Sequence, residues 1–322
     1  REKSLYIYQT RSLRDSLSEA AIQLSGLDSS VEVMAVSDSA RFLFGGSIGG
    51  QARLWDLSRT DPLGPPSSLV PSPYSQVRAI HLSDSGRLAV TLRGNSLEFW
   101  NIQKPEEPRL LYAQDIDLKQ FGDCVVCQVV LSHDERWAVV QDQDKNRSLV
   151  IEIGSDATVR RKFPVASRTW RVTGEILFSP DSRFLFVSEE NNTRAAYDLR
   201  AKAPKRTIVT DSGSYSTPIF SPDGKWIFLG LYVNEYRDPV GRDKVVGFVA
   251  PTEAIGDKAK RFPISGFATS IGNAIFSRDG RWLALSGHSS YPRRESDDRR
   301  VQVLNLIGNT WKKEAELEPI EY

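Results

Sequence analysis

Six times the chain repeats one phrase: an apolar run, a serine, a short polar turn, a basic residue and a second apolar run. The copies are Val36-Ser37-Asp38-Ser39-Ala40-Arg41-Phe42, Leu82-Ser83-Asp84-Ser85-Gly86-Arg87-Leu88 and Leu131-Ser132-His133-Asp134-Glu135-Arg136-Trp137. Phe178-Ser179-Pro180-Asp181-Ser182-Arg183-Phe184, Phe220-Ser221-Pro222-Asp223-Gly224-Lys225-Trp226 and Phe276-Ser277-Arg278-Asp279-Gly280-Arg281-Trp282 complete the set. Successive serines are 46, 49, 47, 42 and 56 residues apart. Self-similarity at such a period makes each copy one supersecondary unit of a repeat architecture.

The phrase reads as a hairpin. Pro presets φ, Asp or Ser accepts a local backbone bond, and Gly tolerates positive φ. Further along each copy lies a third β-rich run, such as Ala52–Leu57, Leu97–Ile102 or Val301–Leu306, and then a weaker fourth, such as 109–112 or 206–209. Four short strands per period predict an all-β fold, a β-propeller of four-stranded antiparallel blades. The N-terminal run Leu5–Thr10 matches a third strand and 21–24 a fourth, so six full repeats and an N-terminal half blade are expected, the seven-bladed type. One domain spanning 1–322 is expected, as part of a longer chain that supplies the missing pair of strands beyond Tyr322. Trp137, Trp226 and Trp282 hold equivalent places, as do Phe178, Phe220 and Phe276, and equivalent places predict equivalent burial.

The segment Phe42–Leu57 resembles the second and third strands of a WD40 repeat, with Trp55-Asp56 as the WD dipeptide. Trp100-Asn101, Tyr197-Asp198 and Leu304-Asn305 are degenerate versions of it. The resemblance covers nearly the whole chain and implies a binding scaffold. The chain departs from the family in lacking Gly-His before the first strands, and Gly49 stands where the family has a turn Asp. The family's His-Ser-Asp-Trp hydrogen-bond set is therefore expected to be replaced by aromatic and β-branched packing. Phe220–Trp226 also resembles TolB-like envelope propellers.

Charge is balanced, 42 basic against 41 acidic residues, so no global field draws nucleic acid. No apolar run is long enough to cross a bilayer as a helix. Cys124 and Cys127 enter a strand, where residues three apart face opposite sides, and read as two buried or half-buried thiols. Their low number fits a reducing compartment, here the cytoplasm.

Motifs for chemistry fail on context. Gly45-Gly46-Ser47-Ile48-Gly49 has the spacing of a nucleophile elbow, but that motif needs a strand-to-helix turn. Asp142–Asn146 opens like a calcium loop, but Arg147 and Ile153 stand where Gly and Glu are required. His81, His133 and His288 fall in different repeats at different places. The expectation is no enzyme, no metal and no cofactor. An enzyme with its site at the central channel and a TolB-like envelope protein are the alternatives.

What the sequence offers instead is loops. Long insertions join second to third strands in repeats five and six, and aromatic and arginine residues punctuate the loops entering repeats four and five. Trp170, Tyr215, Tyr236, Arg237, Tyr291, Arg293 and Arg294 have the composition of binding hot spots. They predict a protein or peptide partner carrying carboxylate or phosphate, on the face opposite the uniform Ser-Asp-Gly turns.

Overall fold

A computed structural model describes residues 5–8, 21–24, 27, 29–37, 39–58, 67–69, 76–104, 106–115, 127–142, 147–166, 176–189, 193–210, 214–215, 218–232, 244–267, 271–287, 301–308 and 310–317. Each repeat is an antiparallel meander in chain order. Repeat one comprises Val31–Val36, Phe42–Ser47, Ala52–Asp56 and Ser67–Leu69; repeat two comprises Val77–Leu82, Leu88–Arg93, Ser96–Asn101 and Arg109–Asp115. Repeat three comprises Cys127–Leu131, Trp137–Asp142, Arg147–Ile153 and Val159–Ala166. Repeat four comprises Ile176–Phe178, Phe184–Ser188, Arg194–Asp198 and Lys205–Thr210. In repeat five the first strand comes in two pieces, Ser214–Tyr215 and Ile219–Phe220, both paired with Trp226–Tyr232; Gly247–Pro251 and Phe262–Ile264 follow. Repeat six comprises Ile271–Phe276, Trp282–Gly287, Val301–Ile307 and Thr310–Leu317. At the N-terminus Leu5–Tyr8 pairs with Ala21–Leu24 in a two-stranded sheet. The chain divides into two compact units, Arg1–Thr169 with the half sheet and repeats one to three, and Trp170–Tyr322 with repeats four to six.

One local device recurs six times. The serine hydroxyl accepts the backbone N–H five residues on: Phe42 to Ser37, Leu88 to Ser83, Trp137 to Ser132, Phe184 to Ser179, Trp226 to Ser221 and Trp282 to Ser277, all at 2.9–3.0 Å. The serine's own N–H donates to the carbonyl of that same residue, as from Ser83 to Leu88 at 2.8 Å. The fourth turn residue has positive φ in every copy: Ala40 +53°, Gly86 +66°, Glu135 +59°, Ser182 +56°, Gly224 +70° and Gly280 +69°. The basic residue then presents its carbonyl to the N–H that ends the third strand, Leu57 to Arg41 at 2.7 Å and Ile102 to Arg87 at 2.9 Å.

Within each unit, successive sheets pack face to face through alternate residues of their second strands. Phe42 and Phe44 lie against Val77, Leu82 and Ala89; Leu88, Val90 and Leu92 lie against Val129, Leu131, Ala138 and Val140. In the second unit Phe184 and Phe186 meet Ile227 and Leu229, while Trp226 and Phe228 meet Phe276, Leu283 and Leu285. The half sheet contributes Leu24 to a cluster with Leu27, Leu43 and Trp55 of the first repeat. Gly46 has no room for a Cβ, which would stand 2.8 Å from Val77 of the next sheet.

Four expectations are corrected. The three tryptophans are not equivalent: Trp137 and Trp226 are buried, but Trp282 is 41% exposed. Phe178 and Phe276 are buried, whereas Phe220 is half-buried because its strand is short and broken. Packing is not the whole of what replaces the WD40 hydrogen-bond set. In repeat two, Trp100 Nε1 donates to Thr91 Oγ1 at 3.2 Å, and Thr91 Oγ1 donates to Glu98 Oε2 at 2.8 Å. Arg93, 2% exposed, pairs with Glu98 at 3.3 Å and donates to the Gly50 carbonyl of the preceding repeat. Finally, Cys127 is half-buried but disulfide-bonded rather than a free thiol; Cys124 lies outside the described residues. The argument from cysteine number to a reducing compartment therefore lapses.

Truncating Trp226 to Ala should cost about 3–5 kcal/mol, because a buried ring leaves a cavity between two sheets. Trp282→Ala should cost about 1 kcal/mol or less, since much of its ring remains in water. Chemical denaturation of the two variants tests this contrast.

Candidate functional site

The turns of repeats one to three come together around an open cavity of about 710 Å³ lined by Arg41, Phe42, Ser85, Arg87, His133 and Glu135, with Ser39, Gly86, Gln103 and Asp134 at its margins. Its floor is set by repeat packing. Gly86 sits directly on the Phe42 ring, where a Cβ would come within 2.9 Å of Cε2. The Arg41 guanidinium lies 4.7 Å over the same ring.

Its electrostatics follow from one exchange of partners. In repeats one and four the turn arginine reaches the acidic residue that ends its own third strand: Arg41 Nη2 to Asp56 Oδ2 at 3.2 Å, Arg183 Nη2 to Asp198 Oδ2 at 3.1 Å. Repeat two has Asn101 at that place. Arg87 turns instead to Glu135 of the next repeat, donating from Nε to Oε2 at 2.8 Å and also from Nη2. Ser85 Oγ donates to Glu135 Oε1. Glu135 is 8% exposed and holds a positive φ that disfavours a long L side chain, so its backbone strain is carried by this anchor. His133 Nδ1 meets Asp84 Oδ2 across the same joint.

Burial pushes the Glu135 carboxyl up, but hydrogen bonds from Ser85, Arg87 and Ser83 and the Arg87 charge outweigh it and hold the pKa below the ordinary 4.5. For Asp56, burial is likewise outweighed by hydrogen bonds from Ser58 and Arg41, and its pKa is also lowered. Each guanidinium spends its Nε and Nη2 edge on a carboxylate. Its fork has further N–H donors at Nη1 for a ligand in the cavity. With every cation matched by a carboxylate, the cavity suits a polar ligand rich in acceptors rather than a bare polyanion.

The predicted site residues fare differently. Tyr215 ends the short strand that pairs with Leu231 and Tyr232. Trp170, Tyr236, Arg237, Tyr291, Arg293 and Arg294 lie outside the described residues, as does His288. The turn side, expected to be plain, carries the cavity. Two sequence signals mark it: Glu135 where the other copies have Gly, Ala or Ser, and Asn101 where repeats one and four have Asp. Ser47 of the apparent elbow is fully buried in a strand-turn-strand hairpin, its hydroxyl accepting from Gln51 N at 3.1 Å. Of the calcium-like segment, Asp142 is buried at a strand end and 143–146 lie outside the described residues. His81 is half-buried in a first strand. No group of potential metal ligands occurs among the described residues, and no helix there is long and apolar enough to cross a membrane.

No family model and no curated protein matches the sequence. Among solved structures, a functionally unknown protein from Desulfotomaculum acetoxidans DSM 771 superposes with a TM-score of 0.52 at 13% identity, over 98% of this chain and 92% of that one. The likeness is one of fold. The β-propeller domain of Cps50 (Swd1) from Myceliophteria thermophila matches at a TM-score of 0.46 and 11% identity, over 91% of this chain and 88% of that one, too loosely to bear on the argument.

Glu135 contributes fully above its unfolded-state pKa, and the contribution is lost as pH falls through the lowered folded value. Glu135→Gln should therefore cost about 1 kcal/mol at neutral pH, the exposed Arg87 limiting the loss, and the gap to wild type should close in acid. Ala40→Gly, at an exposed positive-φ position with no such anchor, should stabilise by roughly 1 kcal/mol. Denaturant titrations at neutral and acid pH read both.

Proposed function

We propose that the chain is a non-catalytic, WD40-like β-propeller module of the seven-bladed type that binds a polypeptide partner. The carrying observation is the turn-side cavity, where half-exposed Arg41 and Arg87 stand beside an aromatic floor, each fixed by a carboxylate and each with N–H groups to spare. Such preorganised arginine and aromatic groups are what binding hot spots are made of. A peptide crossing the cavity would offer backbone carbonyls and acidic side chains to these donors. The loop set Trp170, Tyr215, Tyr236, Arg237, Tyr291, Arg293 and Arg294 belongs to the same proposal as a second contact surface, on composition alone.

Peptides selected from a display library against the immobilised chain test this. Filling the cavity with Ser39→Trp or removing a donor with Arg41→Ala should weaken the selected peptides about tenfold or more, with little change in melting temperature. The double variant Tyr236→Ala/Arg294→Ala tests the loops in the same assay. Peptides indifferent to both surfaces would refute the sites, and turnover of a peptide or other substrate by the chain would refute the non-catalytic reading.

A further inference from the structure

Every interface between described neighbours in the two units follows one rule of sidedness. The first residue of a second strand and those two and four further on point forward to the next repeat; the residues between them point back. In first strands, the residue before the serine points back and its predecessor points forward: Phe276 and Ala274 pack against repeat five, whereas Ala35, Leu177 and Ile219 pack against the repeat that follows their own. Repeat six applies the rule on both faces, but only its backward face is covered. The forward position of the second strand is 3% exposed in Phe42, 6% in Leu88, 4% in Trp137 and 7% in Phe184 and Trp226, yet 41% in Trp282. Ile275, in the first strand, is 68% exposed. Ile307 and Leu317 extend the apolar surface outward at 47% and 56%. The alternation along Trp282–Gly287 loosens accordingly: Leu283 and Leu285 are buried, while Ala284 and Ser286 are half-buried.

The opposite face of the first unit has the complementary defect. Met34 and Val36 of repeat one point back and are 60% and 55% exposed, where the equivalents of Val36 at Leu82, Leu131 and Phe178 are 5%, 5% and 3%. The half sheet covers the outer part of that face, at Leu43 and Trp55, and not the inner part. Each unit by itself thus ends on an apolar surface that, elsewhere in the same unit, is covered by the first and second strands of another repeat.

We propose that the forward face of repeat six is a docking face for a two-stranded β-hairpin of a partner polypeptide. The hairpin would be built on the chain's own phrase: apolar residues at alternate positions of both strands, joined by a Ser-x-Asp/Ser-Gly/Ser turn. The four covered interfaces show what such an occupant must present, a backward-facing quartet equivalent to Ile176, Phe178, Leu185 and Val187. Burying Trp282 and Ile275 supplies the hydrophobic drive, and the flat sheet face supplies the fit. A second copy of this chain is the poorer donor, because each of its six hairpins is already built into its own sheet. The inference does not rest on the cavity of the turn side.

The test uses the whole chain and a synthetic peptide of residues 176–189, cyclised across its open end because a free hairpin of this length is marginal. Titration calorimetry should show saturable binding, weakened about tenfold or more by Trp282→Lys or Ile275→Lys. Both positions are exposed, so the melting temperatures of these variants should stay near that of wild type. A peptide carrying Leu185→Lys and Val187→Lys should not bind. Absence of saturable binding up to about 1 mM peptide, a range that covers weak docking, would overturn the proposal. So would equal binding by the Trp282→Lys variant. Concentration-dependent dimerisation abolished by Trp282→Lys would also overturn it, making a second copy the occupant.

Discussion

The serine of each turn is the constraint on which the other interactions depend. Its hydroxyl and its N–H both engage the residue five positions on, clamping the end of the first strand to the start of the second. The carbonyl of the intervening basic residue then receives the N–H that ends the third strand. One short side chain therefore fixes the register of three strands. Register matters because a slip by one residue would turn every forward-facing side chain backward. The interlocking of Phe44 with Ala89, or Val90 with Val140, would be lost at once.

A clamp of this kind forces one residue per turn into the left-handed region, and the copies meet that demand differently. Gly86, Gly224 and Gly280 adopt it freely, Ala40 carries the strain, and Glu135 carries the strain while gaining an ion pair. The exchange works because repeat two lacks an acid at position 101, leaving Arg87 to reach across the joint. Buried charge elsewhere follows the same logic of local pairing. Arg93 and Glu98 lie inside repeat two with Thr91 and Trp100, and Glu189 in repeat four holds Arg206 and the Tyr197 hydroxyl at 2.6 Å. Charged groups this deep are tolerable only when their hydrogen bonds are met by neighbours. Burial and the hydrogen bond to Glu189 push the Tyr197 hydroxyl well above its usual pKa, while hydrogen bonds from Arg206 and Tyr197 hold the Glu189 carboxyl below its own despite burial.

Stability and recognition thus draw on the same turns. The ordinary copies close a hairpin and do nothing more. The departures, Glu135 and Asn101, couple neighbouring repeats and shape a cavity between them. In a repeat protein the departures from the consensus are the informative positions, because the consensus is already accounted for by the shared local geometry.

Much of this was legible in the sequence. The period, the hairpin phrase, the third strands and the N-terminal half sheet follow from patterns that local chemistry enforces: turn residues at fixed offsets and apolar residues at every second place. Boundaries drifted only where an insertion intervenes, as in repeat five, whose third strand begins at Gly247 rather than Val245. What tertiary structure alone decided lies between repeats. Equivalence of sequence predicted equal burial for Trp137, Trp226 and Trp282, but burial belongs to the neighbour as much as to the residue, and Trp282 has no such neighbour among the described residues. Arg93 binding the Gly50 carbonyl, and Arg87 binding Glu135 rather than an acid of its own repeat, join positions 43 and 48 residues apart. Each such partner is chosen by which sheet comes to lie beside which, and that is a property of the packed fold and not of any one repeat.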